Sequence, residues 1–386
     1  MIANITLNWP SVIEFGVGKV KTLATHLKDN KRIYFLADPP IMSTIKPLID
    51  ELKGHGKEIL VSNAVVPEPP FEALEKLLSS VSNFAPDCVV GVGGGSAMDL
   101  AKLVAVLFSR EQKITEVIGI DQVKRRNVKL ITVSTTSGTG SEVTPIAVLT
   151  DVANKLKKGV VSKYLVPDVA IVDPALTLSL PPAVTAATGM DAMTHCIETY
   201  TNKFSHPIID NLVIEGVRLL AANLERAVTH GDDLNARTAC ALGSLYGGLA
   251  LGPVNTAAVH ALAYPLGGEF KISHGVSNSV LLPFVMSFNL PSCVEKYKNI
   301  GNALGINCDC ADEKIARKAI MKIKELSNAC KIPAGLKELG IPENAIPHMA
   351  ESAMKVTRLL NNNPREVTLK DATAIFQMAY NGVIDL

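Results

Sequence analysis

The first half of the chain alternates short apolar runs with segments of helical spacing. The apolar runs are RIYFLAD (32–38), KEILVSN (57–63), DCVVGVGGG (87–95) and VKLITVSTT (128–136). Segments with apolar residues at helical spacing lie between them, among them MSTIKPLIDELKGHG, FEALEKLLSSVSNF and SAMDLAKLVAVLF. Continuous apolar strands that alternate with helices predict a parallel sheet covered on both faces, because such strands leave no side for solvent.

The pattern changes after the proline-bearing segment DPALTLSLPP (173–182). Long helical patterns follow, beginning with AVTAATGMDAMTHCIETYTN and ending with LKDATAIFQMAYNGVI, and few strand signals remain. A chain of 386 residues is also long enough for two domains. We therefore predict a parallel α/β domain over residues 1–178 and an all-helical domain over residues 179–386.

The charge balance and the cysteines limit the class of protein. With 38 basic and 37 acidic residues, the chain gives no reason to expect nucleic acid or an anionic membrane as a partner. Seven scattered cysteines favour a reducing, cytoplasmic setting. We expect neither a signal peptide nor a membrane helix, because no apolar run reaches the roughly 18 residues that a span needs.

A glycine turn, GVGGGS, joins an apolar strand to a helix. Gly93, Gly94 and Gly95 let the backbone approach a pyrophosphate, and the N–H groups at the helix start favour its negative charge. Ser96 can add a hydroxyl donor or cap the helix. The sequence is neither a strict GxGxxG nor a Walker A loop, so a turn without a ligand is the alternative.

Two further polar groups follow strand ends. The segment TTSGTGSEVTP (135–145) is rich in hydroxyls, and Thr135, Thr136 and Thr139 can contact a cofactor at the carboxyl edge of a parallel sheet. Asp38 ends an earlier strand, where a carboxylate accepts hydrogen bonds from an adenosine ribose and repels a 2′-phosphate, which favours NAD over NADP. Alternatively, the segment 135–145 is a solvated polar loop, and Asp38 only starts a turn before Pro-Pro.

One carboxylate and three imidazoles stand out in the second half. Asp191 and His195 are four residues apart in MDAMTHCIETY and share one face of a helix. His260 opens HALAYPLGG, and His274 lies in the turn-like segment KISHGVSN. Such a set without cysteine suits Fe(II) or Zn(II) with a position left open for substrate. The alternative for each histidine alone is an ordinary core or surface residue.

Five segments together resemble the iron-containing (group III) alcohol dehydrogenases: GGGSAMDLAK, TTSGTGSEVT, DPALT, ATGMDAMTHCIE and HALAYPLGG with the later HG. The resemblance implies a Rossmann-like domain followed by a helical metal-binding domain, the architecture shared with dehydroquinate synthase. It implies NAD(P)-dependent oxidation of a small alcohol, or reduction of its aldehyde, in a cleft between the domains. It also implies that relatives are often dimers or larger, so we expect a homo-oligomer.

The resemblance assigns roles to individual residues. Asp191, His195, His260 and His274 would hold the metal. The cofactor would be lined by Gly94, Gly95, Ser96, Thr135, Thr136, Thr139 and Thr144, with Asp38 selecting NAD and Lys157 reaching its ribose. Tyr264 stands where many relatives carry a histidine near the reacting carbon. Glu198 is one candidate to fix an imidazole ligand, but we interpret it as a polar helix residue.

The sequence is also compatible with other functions. A dehydrogenase of hydroxyacids such as 4-hydroxybutyrate would need a cationic anchor, and a zinc-dependent glycerol dehydrogenase would use the same ligands. A lyase of the dehydroquinate synthase kind would need a pocket rich in charged residues, whereas the segments around the ligands are apolar. A nucleotide-binding scaffold would bind cofactor without metal. The ligand set accepts either iron or zinc.

Overall fold

The computed structural model describes residues 3–153 and 156–386. They form two compact units, one spanning Leu7–Leu178 and the other Ser179–Leu386 with the segment that ends at Thr6. The sequence predicts residues 3–6 in the α/β domain, whereas here they group with the helices. One contact that holds them there joins His206 Nε2 to the carbonyl oxygen of Ala3, 3.1 Å away. The functions that we assign to the two domains stay predictions.

The first unit contains a six-stranded, fully parallel sheet in the order β1-β9-β6-β4-β2-β3. Its strands are β1 (Val12–Phe15), β2 (Arg32–Ala37), β3 (Glu58–Ser62), β4 (Cys88–Gly93), β6 (Lys129–Ser134) and β9 (Val169–Val172). The helices of this unit are α1 (Leu23–His26), α2 (Met42–Gly54), α3 (Phe71–Val81), α4 (Gly95–Leu107) and α5 (Ile114–Val117). The predicted α/β class is confirmed.

Helices cover both faces of this sheet, as the apolar strands predict. Ile33 and Phe35 of β2 belong to one buried cluster with residues of α1 and α2. Tyr34 and Leu36, which alternate with them, belong to a second cluster with residues of α3 and α4. Since neighbouring side chains of a strand point to opposite faces, both faces must be apolar, and the strands read as continuous apolar runs.

A small second sheet is an element that the sequence pattern does not reveal. Its strands, in the order β5-β8-β7, are β5 (Gly119–Ile120), β7 (Ile146–Asp151) and β8 (Leu156–Val161). β7 and β8 are antiparallel. Most residues of β8 are only partly buried, so its polar sequence LKKGVV lacks the apolar run that marks a central strand.

Residues 179–386, all of which the structure describes, contain helices and no strand. The helices are α6 (Pro182–Thr201), α7 (Pro207–Thr229), α8 (Leu234–Leu251), α9 (Ala258–Phe270), α10 (His274–Ala303), α11 (Asp312–Ala329), α12 (Ile346–Met354), α13 (Thr357–Leu360) and α14 (Leu369–Asn381). α10 is kinked at Cys293, two residues after Pro291. No helix within the described ranges is long and apolar enough to cross a membrane.

The predicted turn around His274 is wrong, because His274 is the first residue of α10. Gly275 explains the close approach of this helix start to α6. A Cβ at Gly275 would lie 2.3 Å from the carbonyl oxygen of Ala187, so only glycine fits without a shift of the backbone. This contact brings the start of α10 to the helix that carries Asp191.

Six of the seven cysteines lie in the helical unit and one, Cys88, lies on β4. The structure pairs Cys308 with Cys310. The remaining five are free and buried: Cys88, Cys196, Cys240, Cys293 and Cys330.

Candidate functional site

Four side chains of the second unit converge in its interior. Asp191 Oδ1 lies 3.8 Å from Nε2 of each of His195, His260 and His274. One ligand atom from each of the four lies within 4.8 Å of the others. Asp191, His195 and His260 are buried, and the His274 side chain is 30% exposed. The structure thus brings together all four residues that the sequence proposes as metal ligands.

Helix geometry accounts for this convergence. Asp191 and His195 are one turn apart on α6, so their side chains point the same way. His260 comes from α9 and His274 from the start of α10, and both helices contact each other. The rings of His195 and His260 are stacked with centroids 4.9 Å apart, and His274 meets His260 edge-on at 5.2 Å. Rigid elements therefore hold every member of the set.

Glu198 fixes the orientation of His260, which corrects its interpretation as an ordinary polar helix residue. Its Oε2 lies 2.5 Å from His260 Nδ1, and its Oε1 accepts the Val259 N–H at 2.6 Å. A buried carboxylate at this distance makes Nδ1 the protonated nitrogen. Nε2 is then unprotonated, and its lone pair faces Asp191. A histidine that binds a metal through Nε2 needs this tautomer.

Asn278 is a polar residue of the cluster that sequence reasoning missed. It is fully buried, and its Nδ2 donates to Asp191 Oδ1 at 2.7 Å. The same nitrogen lies 3.0 Å from His260 Nε2 and 3.2 Å from His274 Nε2. It follows His274 by four residues, so a helix predicted from His274 onward would have placed both on one face.

The cluster holds Asp191 in its charged form. Burial alone raises the pKa of Asp191, but the three imidazoles and the Asn278 N–H outweigh burial and lower the pKa to about 2. The imidazoles lower this pKa through their protonated, positively charged forms, and a divalent cation bound at the same place would supply that positive charge instead of the protons.

The separations of the three imidazole nitrogens from Asp191 are those of donors that share one divalent ion. Two donor atoms that share one zinc ion, each bonded at about 2.0–2.2 Å, can lie up to about 4 Å apart. The 3.8 Å separations from Asp191 Oδ1 satisfy this condition. One oxygen and three nitrogens match the borderline preference of Fe(II) and Zn(II), and the set contains no thiolate.

Tyr264 lies one helical turn after His260 on α9. Burial raises the pKa of the Tyr264 hydroxyl, the Arg358 guanidinium lowers it through charge and a hydrogen bond, and the charge of Glu198 raises it. The sequence identifies Tyr264 but gives no signal for Arg358, which is 94 positions away along the chain.

In the first unit, Asp38 and the glycine turn meet. Asp38 Oδ2 accepts the Gly94 N–H at 2.7 Å, and burial raises the pKa of this carboxyl. Gly95 faces Thr139, since a Cβ at Gly95 would lie 2.8 Å from the Thr139 methyl carbon. Two parallel strands, β2 and β4, end side by side here, so their carboxyl ends bring Asp38 to the turn. The carboxyl edge of the sheet is where ligands bind in open α/β folds, and Asp38, the glycine turn and Thr139 meet at this edge.

Ser96 and Lys157 are connected through Glu68. Ser96 Oγ accepts the Glu68 N–H at 3.2 Å, and the Glu68 carboxylate pairs with Lys157 Nζ at 3.0 Å. Lys157 lies on β8 with a side chain 9% exposed. The structure thus places Lys157 near the start of α4, but it gives the lysine a protein partner that the sequence did not suggest.

The threonines of the segment 135–145 fall into two groups. Thr135 donates its N–H to the Gly93 carbonyl oxygen at 3.0 Å, and the Thr136 side chain lies beside Gly94. Thr144 is buried, and its hydroxyl accepts from Lys102 Nζ at 2.9 Å. Its role at the cofactor therefore stays a prediction, since its hydroxyl already has a partner.

Lys102 is a second polar residue that the sequence did not single out. It is fully buried on α4 and also donates to Ser141 Oγ at 2.8 Å and to the Ile146 carbonyl oxygen at 2.8 Å. Ser141 donates to Asp99 at 2.5 Å. Burial lowers the pKa of Lys102 to about 8. This network joins the helix after the glycine turn to the segment that carries the threonines.

Comparison with known proteins places both units in one family. Residues 10–174 match the iron-containing alcohol dehydrogenase family, and residues 185–380 match the C-terminal region of the Fe-containing alcohol dehydrogenases. The chain is 39% identical to long-chain-alcohol dehydrogenase 1 of Geobacillus thermodenitrificans over 384 residues, which cover 97% of each protein.

Solved structures agree with these matches. The crystal structure of a 1,3-propanediol oxidoreductase superposes with a TM-score of 0.94 and 34% identity, covering 98% of this chain and all 100% of that one. A sulfoacetaldehyde reductase of Bifidobacterium kashiwanohense in complex with NAD+ gives a TM-score of 0.87 and 26% identity, with 98% and 99% covered. With its acid and three imidazoles assembled as described, the chain belongs to the iron-containing alcohol dehydrogenase family.

Proposed function

We propose that this protein is a metal- and NAD-dependent alcohol dehydrogenase that interconverts a small primary alcohol or diol and its aldehyde. The observation that carries the proposal is the buried convergence of Asp191, His195, His260 and His274. Family membership supports it, and so does the glycine turn at the end of β4.

Asp191, His195, His260 and His274 would hold the divalent metal. When bound, the metal supplies a Lewis acid for the alcohol oxygen, and NAD supplies the hydride acceptor. Glu198 keeps the His260 lone pair directed at the site, and Asn278 orients the Asp191 carboxylate. The Tyr264 hydroxyl, one turn beyond His260, is our candidate for passing the alcohol proton towards solvent; a water chain or the ribose hydroxyls would serve equally.

For the cofactor, we assign the pyrophosphate to the backbone of Gly94 and Gly95 with Ser96, and the adjoining contacts to Thr135, Thr136 and Thr139. Asp38 would accept the adenosine ribose hydroxyls. Its carboxylate lies beside the Gly94 N–H, so a 2′-phosphate there would meet a negative charge, which supports NAD over NADP. The NAD+ complex of the sulfoacetaldehyde reductase supports the same cofactor.

Metal reconstitution tests this proposal. The apoprotein is reloaded with Fe(II) or Zn(II) and assayed with short alcohols, diols, hydroxyacids and their aldehydes, using NAD and NADP. We expect turnover that depends on metal and is faster with NAD. Turnover of none of these by the metal-loaded protein would refute the dehydrogenase, and production of a cyclised or eliminated product would favour the lyase.

A pair of histidine variants sharpens the test. His260→Ala should lose bound metal and turnover while still binding NADH, because the glycine turn lies in the other unit. His348→Ala is the control, since its ring is 65% exposed and pairs with Glu269 instead. Full activity of His260→Ala without added metal would contradict the ligand assignment.

A further inference from the structure

The Thr139 hydroxyl lies at the glycine turn, and a nearby backbone N–H sets its direction. A Cβ at Gly95 would lie 3.0 Å from Thr139 Oγ1, so this oxygen stands beside the first residue of α4. Thr139 Oγ1 accepts the Ser141 N–H at 3.2 Å. A hydroxyl has one proton and two lone pairs, so an oxygen that accepts from Ser141 keeps its proton to donate to another group. Thr139 is partly exposed, whereas Gly138 and Gly140 on either side are buried.

Gly140 allows the backbone to turn between Thr139 and Ser141. Its φ of +62° lies in the left-handed region, which glycine adopts without strain. The turn brings the Ser141 N–H back to a side chain two residues earlier, a local bond that threonine hydroxyls commonly form. The position of Ser141 therefore determines where Thr139 Oγ1 lies and which way its proton points.

Two charged residues of α4 hold Ser141 in place. Lys102 Nζ donates to Ser141 Oγ at 2.8 Å, and Ser141 Oγ donates to Asp99 Oδ1 at 2.5 Å. Asp99 Oδ2 in turn accepts the Val148 N–H at 2.8 Å. The Lys102 side chain is fully buried and that of Asp99 is 15% exposed. Hydrogen bonds to charged groups are strong where water is excluded, so the Ser141 side chain is firmly fixed.

We propose that Asp99, Lys102 and Ser141 form a positioning cluster for the cofactor. The cluster fixes the Thr139 hydroxyl as a donor to the pyrophosphate, beside the N–H groups at the start of α4. This inference rests on the proposed function, because it requires NAD at the glycine turn. A buried ion pair contributes little to stability once the cost of desolvation is counted. Orienting a cofactor-binding hydroxyl gives Asp99 and Lys102 a reason to be buried here.

A double-mutant cycle tests whether Ser141 acts through Thr139. Thr139→Val removes the donor and keeps the shape, so it should weaken NADH binding about 10- to 100-fold. Ser141→Ala should weaken NADH binding about 3- to 10-fold, because the Thr139 hydroxyl remains but loses its fixed direction. The double variant should bind NADH no more weakly than Thr139→Val, since no hydroxyl is left to orient. Losses that multiply in the double variant would show that Ser141 acts independently and would overturn the proposal.

Two ligands separate positioning from a general loosening of the fold. ADP carries the pyrophosphate and adenosine does not, so Ser141→Ala should weaken ADP binding and leave adenosine binding unchanged, as measured by competition with NADH fluorescence. Equal losses for both ligands would overturn the positioning role. Thr132→Val is the matched control. Its hydroxyl is also buried, but it donates to the carbonyl oxygen of Glu142 at 3.0 Å, so NADH binding should not change.

Asp99→Asn keeps the proposal testable if Ser141→Ala does not fold. The amide replaces one carboxylate oxygen by NH2, so Ser141 Oγ or the Val148 N–H loses its acceptor, and ADP binding should again weaken more than adenosine binding. A wild-type protein that binds no NADH would overturn the proposed cofactor and this inference with it. NADH binding that neither variant changes would overturn this inference alone.

Discussion

Replacing Glu198 by glutamine should weaken metal binding without unfolding the protein. The wild-type carboxylate serves two donors at once, His260 Nδ1 at 2.5 Å and the Val259 N–H at 2.6 Å. The two donors bind different oxygens of the carboxylate, and glutamine replaces one of these oxygens by NH2, so in the same side-chain position one donor loses its acceptor. If its NH2 faces Nδ1, the ring must carry its proton on Nε2, which blocks the nitrogen that faces Asp191.

The expected loss of metal affinity in Glu198→Gln can be taken from other residues that hydrogen-bond a metal-ligating histidine. Loss of the group that orients a ligating histidine typically costs 10- to 100-fold in metal affinity, or about 1.4–2.7 kcal/mol. The His260–Glu198 pair is only 5% exposed on each side, so water cannot replace the lost contact easily. Glu198→Ala should do further damage, because it also leaves the Val259 N–H without an acceptor, at a cost of about 1–3 kcal/mol in folding free energy.

Metal affinity is measured by competition with a chromophoric chelator, with thermal unfolding recorded for each variant. Glu269→Gln is the matched control, since Glu269 lies on the same helix α9 but contacts Ser352 and His348 rather than a ligand. The reasoning would be refuted by a folded Glu198→Gln protein whose metal dissociation constant equals that of the wild type. An equal loss in Glu269→Gln would show that the effect is not specific to His260.

Two more predictions concern the first unit. Gly95→Ala should weaken NADH binding about 10-fold or more, because its Cβ would lie 2.8 Å from the Thr139 methyl carbon. Gly94→Ala should weaken NADH binding less, because its Cβ would lie 3.4 Å from the nearest Thr136 atom. Equal dissociation constants of the two variants in NADH titrations would contradict this prediction. For Lys102, burial lowers the pKa from 10.5 to about 8, so between these values the unfolded chain holds a proton that the folded protein has released. The free energy of unfolding should therefore rise with pH from 8 to 10.5 relative to Lys102→Met in urea titrations; a constant difference would place the pKa outside this window.

The parts of the fold that sequence patterns predict are those with uniform burial. β2, β4 and β6 are apolar along almost their whole length because both sheet faces are covered, and the pattern cannot be confused with an amphipathic element. β8 is half-buried and basic, so it resembles a loop. The sequence also does not predict the start of α10, because Gly275 and the neighbouring serines have low helix propensity. The helix forms there because tertiary contact with α6 overrides this low propensity.

The residues of the candidate site also fall into those that the sequence predicts and those that it does not. Asp191 and His195 are predictable because their spacing matches one helical turn, and the family resemblance adds His260 and His274. Asn278 could have been predicted as a member of the cluster only if a helix had been assigned from His274 onward.

Glu198 and Lys102 show why the remaining contacts could not be derived. Each is a charged residue on a helix with mostly buried neighbours, so composition marks it as unusual. Its partners lie far away in sequence: 62 positions separate Glu198 from His260, and 42 separate Lys102 from Thr144. A buried charge persists only where distant groups satisfy it, so a pattern can reveal that such a partner exists but not which residue it is. That identity depends on how the helices pack, and packing here also determines which imidazole nitrogen faces the proposed metal.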